Sequence, residues 1–270
     1  MFFLFLRLFI APLAVIAGTL AQRRFGHAVG GLVIGLPLTS IPLLVLVTLQ
    51  HGTAFATSMS NADLIGSLAE VAVIMVYVRL ASRLSPTLTL LSSLGAFAVV
   101  GAVLSFFTVS TLLAGLLAIG GFAVALRYWP QMKEQPILDG RHRLALRVVL
   151  ATGFTFLVIS SAGRIGPGLA GLAAALPIMS LIIAFVSHQE LGANAATRFL
   201  QGVAKGSFSY VAAIFAFTEL LRTGHVWVAF ALSLGVALLV QVTVQYVDAM
   251  PDVKKSLSTS LLRPNALVQR

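Results

Sequence analysis

The chain of 270 residues has no cysteine and only eight acidic residues. Without cysteine there is no disulfide framework, no thiol nucleophile and no thiolate metal site. Polar surface is equally scarce, because charged residues make up 10% of the chain while 59% is hydrophobic and the mean hydropathy is +1.00. A water-soluble globule could not hide that much apolar surface, so the composition excludes one. The sequence also lacks a P-loop, a His-Glu-x-x-His, a Gly-x-Ser-x-Gly and any pair of intramembrane aspartates. It therefore offers no visible apparatus for nucleotide or intramembrane hydrolysis, and it is read as neither an enzyme nor a cofactor protein.

What is present is a succession of apolar runs about 20 residues long, each sufficient to cross a bilayer core of roughly 30 Å. Reading these runs against their polar and Gly/Pro punctuation predicts an all-α polytopic membrane protein. Nine helices are expected at 2–20, 28–49, 62–82, 86–106, 108–128, 143–162, 167–187, 201–221 and 225–247. Ser85-Pro86 suits a cap followed by a first-turn proline, and Thr223-Gly224 suits a tight turn. The first run ends near "GTLAQ" like a secretory signal, but it has no preceding basic region and Arg7 interrupts it, so it is read as an uncleaved span.

The net charge of +10 is read as a record of orientation and of contact with anionic headgroups, not as a nucleic-acid surface, since no clustered basic face exists. With the N-terminus outside and the C-terminus inside, only Arg7, Arg164 and Arg222 of the 18 basic residues fall on the outer side. That distribution fits the positive-inside rule.

A shift of 140 positions superposes the chain on itself without a gap. Arg7 meets Arg147, Arg24 meets Arg164, Gly31 meets Gly171, Pro37 meets Pro177, Ser40 meets Ser180, Gly52 meets Gly192 and Ser67 meets Ser207. Agreement at Arg, Pro and Ser in one register is not a by-product of apolar composition. The expected organisation is a first four-helix repeat over 1–107, a connecting helix and cytoplasmic loop over 108–140, a second four-helix repeat over 141–247 and a cytoplasmic tail over 248–270. An odd number of crossings separates equivalent helices, so this 4+1+4 arrangement inverts one half relative to the other. The inversion depends on 85–128 forming two spans, and its length suits two better than one.

Inverted repeats with interrupted helices occur in secondary transporters. The stretches "GLVIGLPLTSIPLL" and "GLAAALPIMSLIIA" each place a proline within an apolar helix. Pro37 cannot donate to Val33, nor Pro177 to Ala173, so each break is expected to free a carbonyl at membrane depth that protein, water or ligand must satisfy. The two breaks would line a shared polar cavity beside Thr39, Ser40 and Ser180; the alternative is a pair of ordinary kinks whose carbonyls nearby hydroxyls recapture. Glu70, in the apolar "SLAEVAVIMVY", is the sharpest candidate for binding or relaying a cation or proton, against a role as a protonated packing residue. Its partner under the shift is Tyr210.

Arg7 and Arg147 are expected either to snorkel to opposite interfaces or to contact an anionic solute or lipid headgroup. Asp63 is read as a helix-start carboxylate, Glu219 and Arg222 as an i,i+3 pair, and Gln241 and Gln245 as polar residues on one helix face. His51 and the "HQE" of His188 to Glu190 are read as interfacial loop residues, with no metal site.

The segment "VGGLVIGLPLTSIPLLVLVTLQHGTAFATS" and its echo at 168–197 resemble the second helix and following loop of the GlpM-like family of small bacterial membrane proteins. The resemblance covers helices one to four and six to nine, and it implies a multi-pass protein of the bacterial cytoplasmic membrane. It brings no substrate or catalytic residue. Together these readings favour a transporter of a small solute by alternating access, with Arg7 and Arg147 tilting toward an anion and Glu70 toward proton coupling. The alternative is a non-transporting scaffold or assembly factor for an envelope complex. The bilayer, an unidentified small molecule and either a second copy or an envelope-complex subunit are the expected partners.

Overall fold

The computed structural model describes residues 13, 16–107, 109–130, 149 and 166–249. The expected sixth helix over 143–162, apart from Val149, together with Arg7, Arg147, Arg164 and the tail beyond 249, lies outside the described residues. Every regular element among the described residues is helical: α1 over 16–25, α2 His27–Ile34, α3 Ser40–Leu80, α4 Pro86–Leu104, α5 Thr111–Arg127, α6 over 166–175, α7 Ile178–Leu191, α8 Ala193–Leu221 and α9 Val226–Ala249.

The thin separator between the fourth and fifth expected helices does divide them. The Ser85 hydroxyl accepts from the Leu88 N–H at 3.4 Å and opens α4, with Pro86 in the first turn; the Ser110 hydroxyl accepts from the Leu113 N–H at 3.3 Å and opens α5.

Two expected loops are helical instead. Residues 53–61 continue α3 and residues 193–200 belong to α8. The chain turns at single glycines, Gly52 (φ 83) and Gly192 (φ 86), whose left-handed backbone interrupts the helix and allows the next to start at once. The hydroxyl-rich run after Gly52 looks like a loop by composition, yet its hydroxyls bond back to their own helix: Thr57 donates to the Thr53 carbonyl at 2.8 Å and Ser60 to that of Thr57 at 3.1 Å. Asp63 consequently lies inside α3 and not at a helix start, and His188 lies in the last turn of α7, buried, not in an interfacial loop.

At the centre, the part of α3 after Gly52 pairs with α8. The Thr218 hydroxyl donates to Ser60 Oγ at 2.8 Å, Tyr210 to Asp63 Oδ1 at 2.7 Å and Ser207 to Glu70 Oε1 at 3.4 Å. Numbers rise along α3 as they fall along α8, so the pair is antiparallel. α5 lies across the pair, with Gly121 against Leu68 and Val71 and the Phe122 ring 6.3 Å from that of Phe208. α4 packs on α3, and α9 on α8, where Ser209 donates to Gln241 Oε1 at 2.7 Å. Gln245, by contrast, is exposed.

The distribution of polarity reverses that of a soluble protein. Outward faces carry Leu88, Leu91 and Val99 on α4, Leu112 and Leu116 on α5, and Trp227, Leu238 and Leu239 on α9, each more than half exposed. Ser60, Ser67, Thr89, Ser93, Ser207, Ser209 and Thr218 are buried. Apolar outside and hydroxylated inside is the arrangement lipid favours, since only interior polar groups can find partners. Among the described residues three segments are long and apolar enough to cross a membrane, Pro86–Leu104, Gly166–Leu191 and Val226–Asp248.

Candidate functional site: a cavity between two proline breaks

The interruptions at the two prolines have the same construction. Before each proline, an amide bonds a carbonyl three residues back, Leu36 to Val33 and Leu176 to Ala173, both at 3.3 Å. Across each proline, the amide bonds two residues back, Leu38 to Leu36 at 2.8 Å and Ile178 to Leu176 at 2.7 Å. Pro177, at φ −79 and ψ 57, has inverse γ-turn geometry, which the ring's fixed φ favours. This corrects one expectation: the Val33 and Ala173 carbonyls are not left free, because the preceding turn tightens and supplies each an amide.

Between the breaks lies a cavity of about 80 Å³, room for a few waters or one small desolvated ion. Its walls come from the ends of α2 and α6 and the starts of α3 and α7, closed by α8 and the middle of α3. The lining matches in pairs 140 apart: Ile34 with Ala174, Gly35 with Ala175, Leu36 with Leu176, Leu38 with Ile178, Thr39 with Met179, Ser40 with Ser180, and Glu70 with Tyr210. Pro177, Val203 and Ser207 complete it. Of the residues singled out from sequence, Thr39, Ser40, Glu70, Pro177 and Ser180 line the cavity, whereas Pro37 is buried and does not.

The polar groups of the lining are hydroxyls and one carboxyl. Glu70 is 7% exposed and, among the described residues, receives only the long bond from Ser207. Among the described residues no Lys, Arg or His contributes to the wall. The starts of α3 and α7 turn the positive ends of two helix dipoles toward the space, while the ends of α2 and α6 turn their carbonyl ends to it. The cavity can therefore hold a small polar solute against hydroxyls and a carboxyl, with peptide dipoles of both signs at hand.

Sequence reasoning missed Asp63 as a member of this neighbourhood. It is 1% exposed, bonded to Tyr210, and its second oxygen has no hydrogen-bond partner. A signal was available: Asp63 and Glu70 are seven residues apart, which brings two carboxyls to one helix face in a chain poor in them.

Away from the cavity, Tyr77 and His188 Nδ1 meet at 3.3 Å and tie α3 to the end of α7. The Gln22 amide donates to Ser187 Oγ at 3.0 Å and joins α1 to the same helix. The expected Glu219–Arg222 pair forms at 3.3 Å, with Arg222 also donating to Thr111 Oγ1 at 3.1 Å.

No protein-family model, curated protein or solved structure matches this chain. The functional reading therefore rests on the cavity and the packing around it.

Proposed function

We propose that the protein is a membrane carrier in which two inverted four-helix halves exchange conformations around the cavity between Pro37 and Pro177, exposing a small solute to each side in turn. The observation that carries this reading is the paired lining, in which both halves contribute corresponding residues to one polar space.

The packing supports inversion. Equivalent helices, α8 and the part of α3 after Gly52, run antiparallel, which is the relation of halves turned over about an axis in the membrane plane. Glycine contacts are reciprocal as well. A β-carbon at Gly31 would meet the Phe199 carbonyl oxygen and the Val203 nitrogen, and one at Gly171 would meet the same atoms of Met59 and Asp63, 140 positions earlier. Two nearly equivalent halves in mutual contact admit two access states of similar energy.

In this reading the nine spans sit in a bacterial cytoplasmic membrane, N-terminus out and C-terminus in, as the basic residues and the GlpM-like resemblance suggest. Among the described residues the lining supplies a carboxyl and hydroxyls and no basic side chain, which favours a small cationic or neutral hydroxylated solute over an anion. A polar space at the meeting of the halves supports the carrier over a scaffold, for which closed packing would serve better.

The test is a screen of proteoliposomes against small inorganic and organic cations and neutral polyols, read as solute-induced current or uptake. Activity above empty liposomes, lost in Glu70→Ala, is the expected result. A Ser180→Cys protein whose thiol stays unreactive to small water-soluble reagents from both sides would overturn the proposal.

A further inference from the structure

Asp63 and Glu70 lie on one face of α3 but meet different surroundings. Glu70 lines the cavity. Asp63 does not; it sits behind Tyr210, whose side chain lines the cavity and whose hydroxyl donates to Asp63 Oδ1 at 2.7 Å. Oδ2 of Asp63 is buried without a hydrogen-bond partner. Among the described residues, the titratable side chains facing Asp63 are Tyr210 from α8 and Glu70 from α3 itself. α6, whose Gly171 packs against the Asp63 backbone nitrogen, has no titratable side chain over 166–175.

Among the described residues no cationic side chain offsets a charge on Asp63, and an uncompensated carboxylate at this depth is costly. A proton removes that cost and needs no coordination shell, so it suits a group walled off by a helix on one side and a phenol on the other. The phenol is at once a wall of the cavity and the hydrogen-bond donor to Asp63, and the Ser40 hydroxyl stands beside it on the cavity side.

We propose that Asp63 is the proton-carrying residue of this carrier and exchanges its proton with the cavity through the Tyr210 hydroxyl, leaving Glu70 to meet the solute. The step balances. Tyr210 passes its phenolic proton to Asp63 Oδ1 as its own oxygen takes one from a hydrated proton (hydronium) in the cavity, which is left as neutral water, so one proton leaves the cavity and one arrives on the carboxylate; release reverses the order. The proposal rests on the carrier reading for its purpose, but its test does not.

The experiment is infrared spectroscopy of the full chain in liposomes, following the carbonyl band of protonated carboxyls through a pH titration and after transfer to deuterated buffer. Aspartate labelled with carbon-13 at the carboxyl assigns the band in the unmutated protein, where Asp139, Asp248 and Asp252 are the other aspartates. The expected result is a protonated aspartate band that titrates, is missing in Asp63→Asn and persists in Glu70→Gln. In Tyr210→Phe the band should shift and exchange deuterium about tenfold more slowly, the effect of losing one hydrogen-bonded relay. An aspartate signal ionised at every pH overturns the proposal, and so does exchange in Tyr210→Phe as fast as in the parent. Solute uptake plays no part in this readout, so failure here leaves the carrier reading standing, and failure of the uptake screen leaves the proton site standing.

Discussion

Gly31 stands so close to α8 that a β-carbon there would fall 1.8 Å from the Phe199 carbonyl oxygen, and the corresponding distance at Gly171 is 2.3 Å from that of Met59. Backbone cannot retreat from such an atom without moving a helix, so Gly31→Ala and Gly171→Ala are each expected to destabilise by about 1–3 kcal/mol or more. Gly95 and Gly235 form the control pair. They too are 140 apart, yet nothing lies within 4 Å of an added β-carbon at either. There alanine should be neutral or stabilising by up to about 1 kcal/mol through helix propensity. Thermal unfolding in detergent, followed by circular dichroism, compares the four; equal effects at both pairs would show that close backbone approach is not what those glycines serve.

At the scale of the element, the two broken helices frame the cavity. Pro37→Ala and Pro177→Ala restore the amide that a continuous helix needs, and the bonds now made around each break, Leu38 to Leu36 and Ile178 to Leu176, would give way to regular ones. Because proline inside a helix costs about 3 kcal/mol, neither substitution should lower thermal stability appreciably. The cavity should narrow as its two walls straighten. The measurement is the reaction rate of Ser180→Cys with a small thiol reagent in each background. We expect it to fall at least about tenfold, the counterpart of roughly 1.4 kcal/mol in the accessible population. An unchanged rate would mean that the prolines only follow the bend and do not hold it.

For the whole molecule, inversion predicts that equivalent positions lie on opposite sides of the membrane. Arg83 and Thr223 are such a pair, both exposed, following α3 and α8 respectively. The native chain has no thiol, so Arg83→Cys and Thr223→Cys each introduce a unique target. A membrane-impermeant maleimide applied to intact spheroplasts should label the cysteine at 223 and leave that at 83 until the membrane is opened. Labelling of both from one side would reject the inverted arrangement and the alternating-access reading with it.

Composition and periodicity were enough to expect an all-helical chain with apolar segments of membrane length, to place most helices, to find the spacing of 140 and to single out Thr39, Ser40, Glu70, Pro177 and Ser180, which the fold then gathers around one cavity, because lipid and proline impose their demands locally. Other features depended on who packs against whom. The run after Gly52 is polar enough to pass for a loop, and it is the return bonds of Thr57 and Ser60 within α3 that keep it helical. Asp63 looked like a first-turn residue until α3 proved to begin before it. Its place beside the cavity wall comes from Tyr210, 147 positions away, a contact no local pattern could announce. The carbonyls near the prolines were likewise misassigned from sequence, since a missing donor is evident in the residue type but the turn that compensates for it is a choice of the folded backbone.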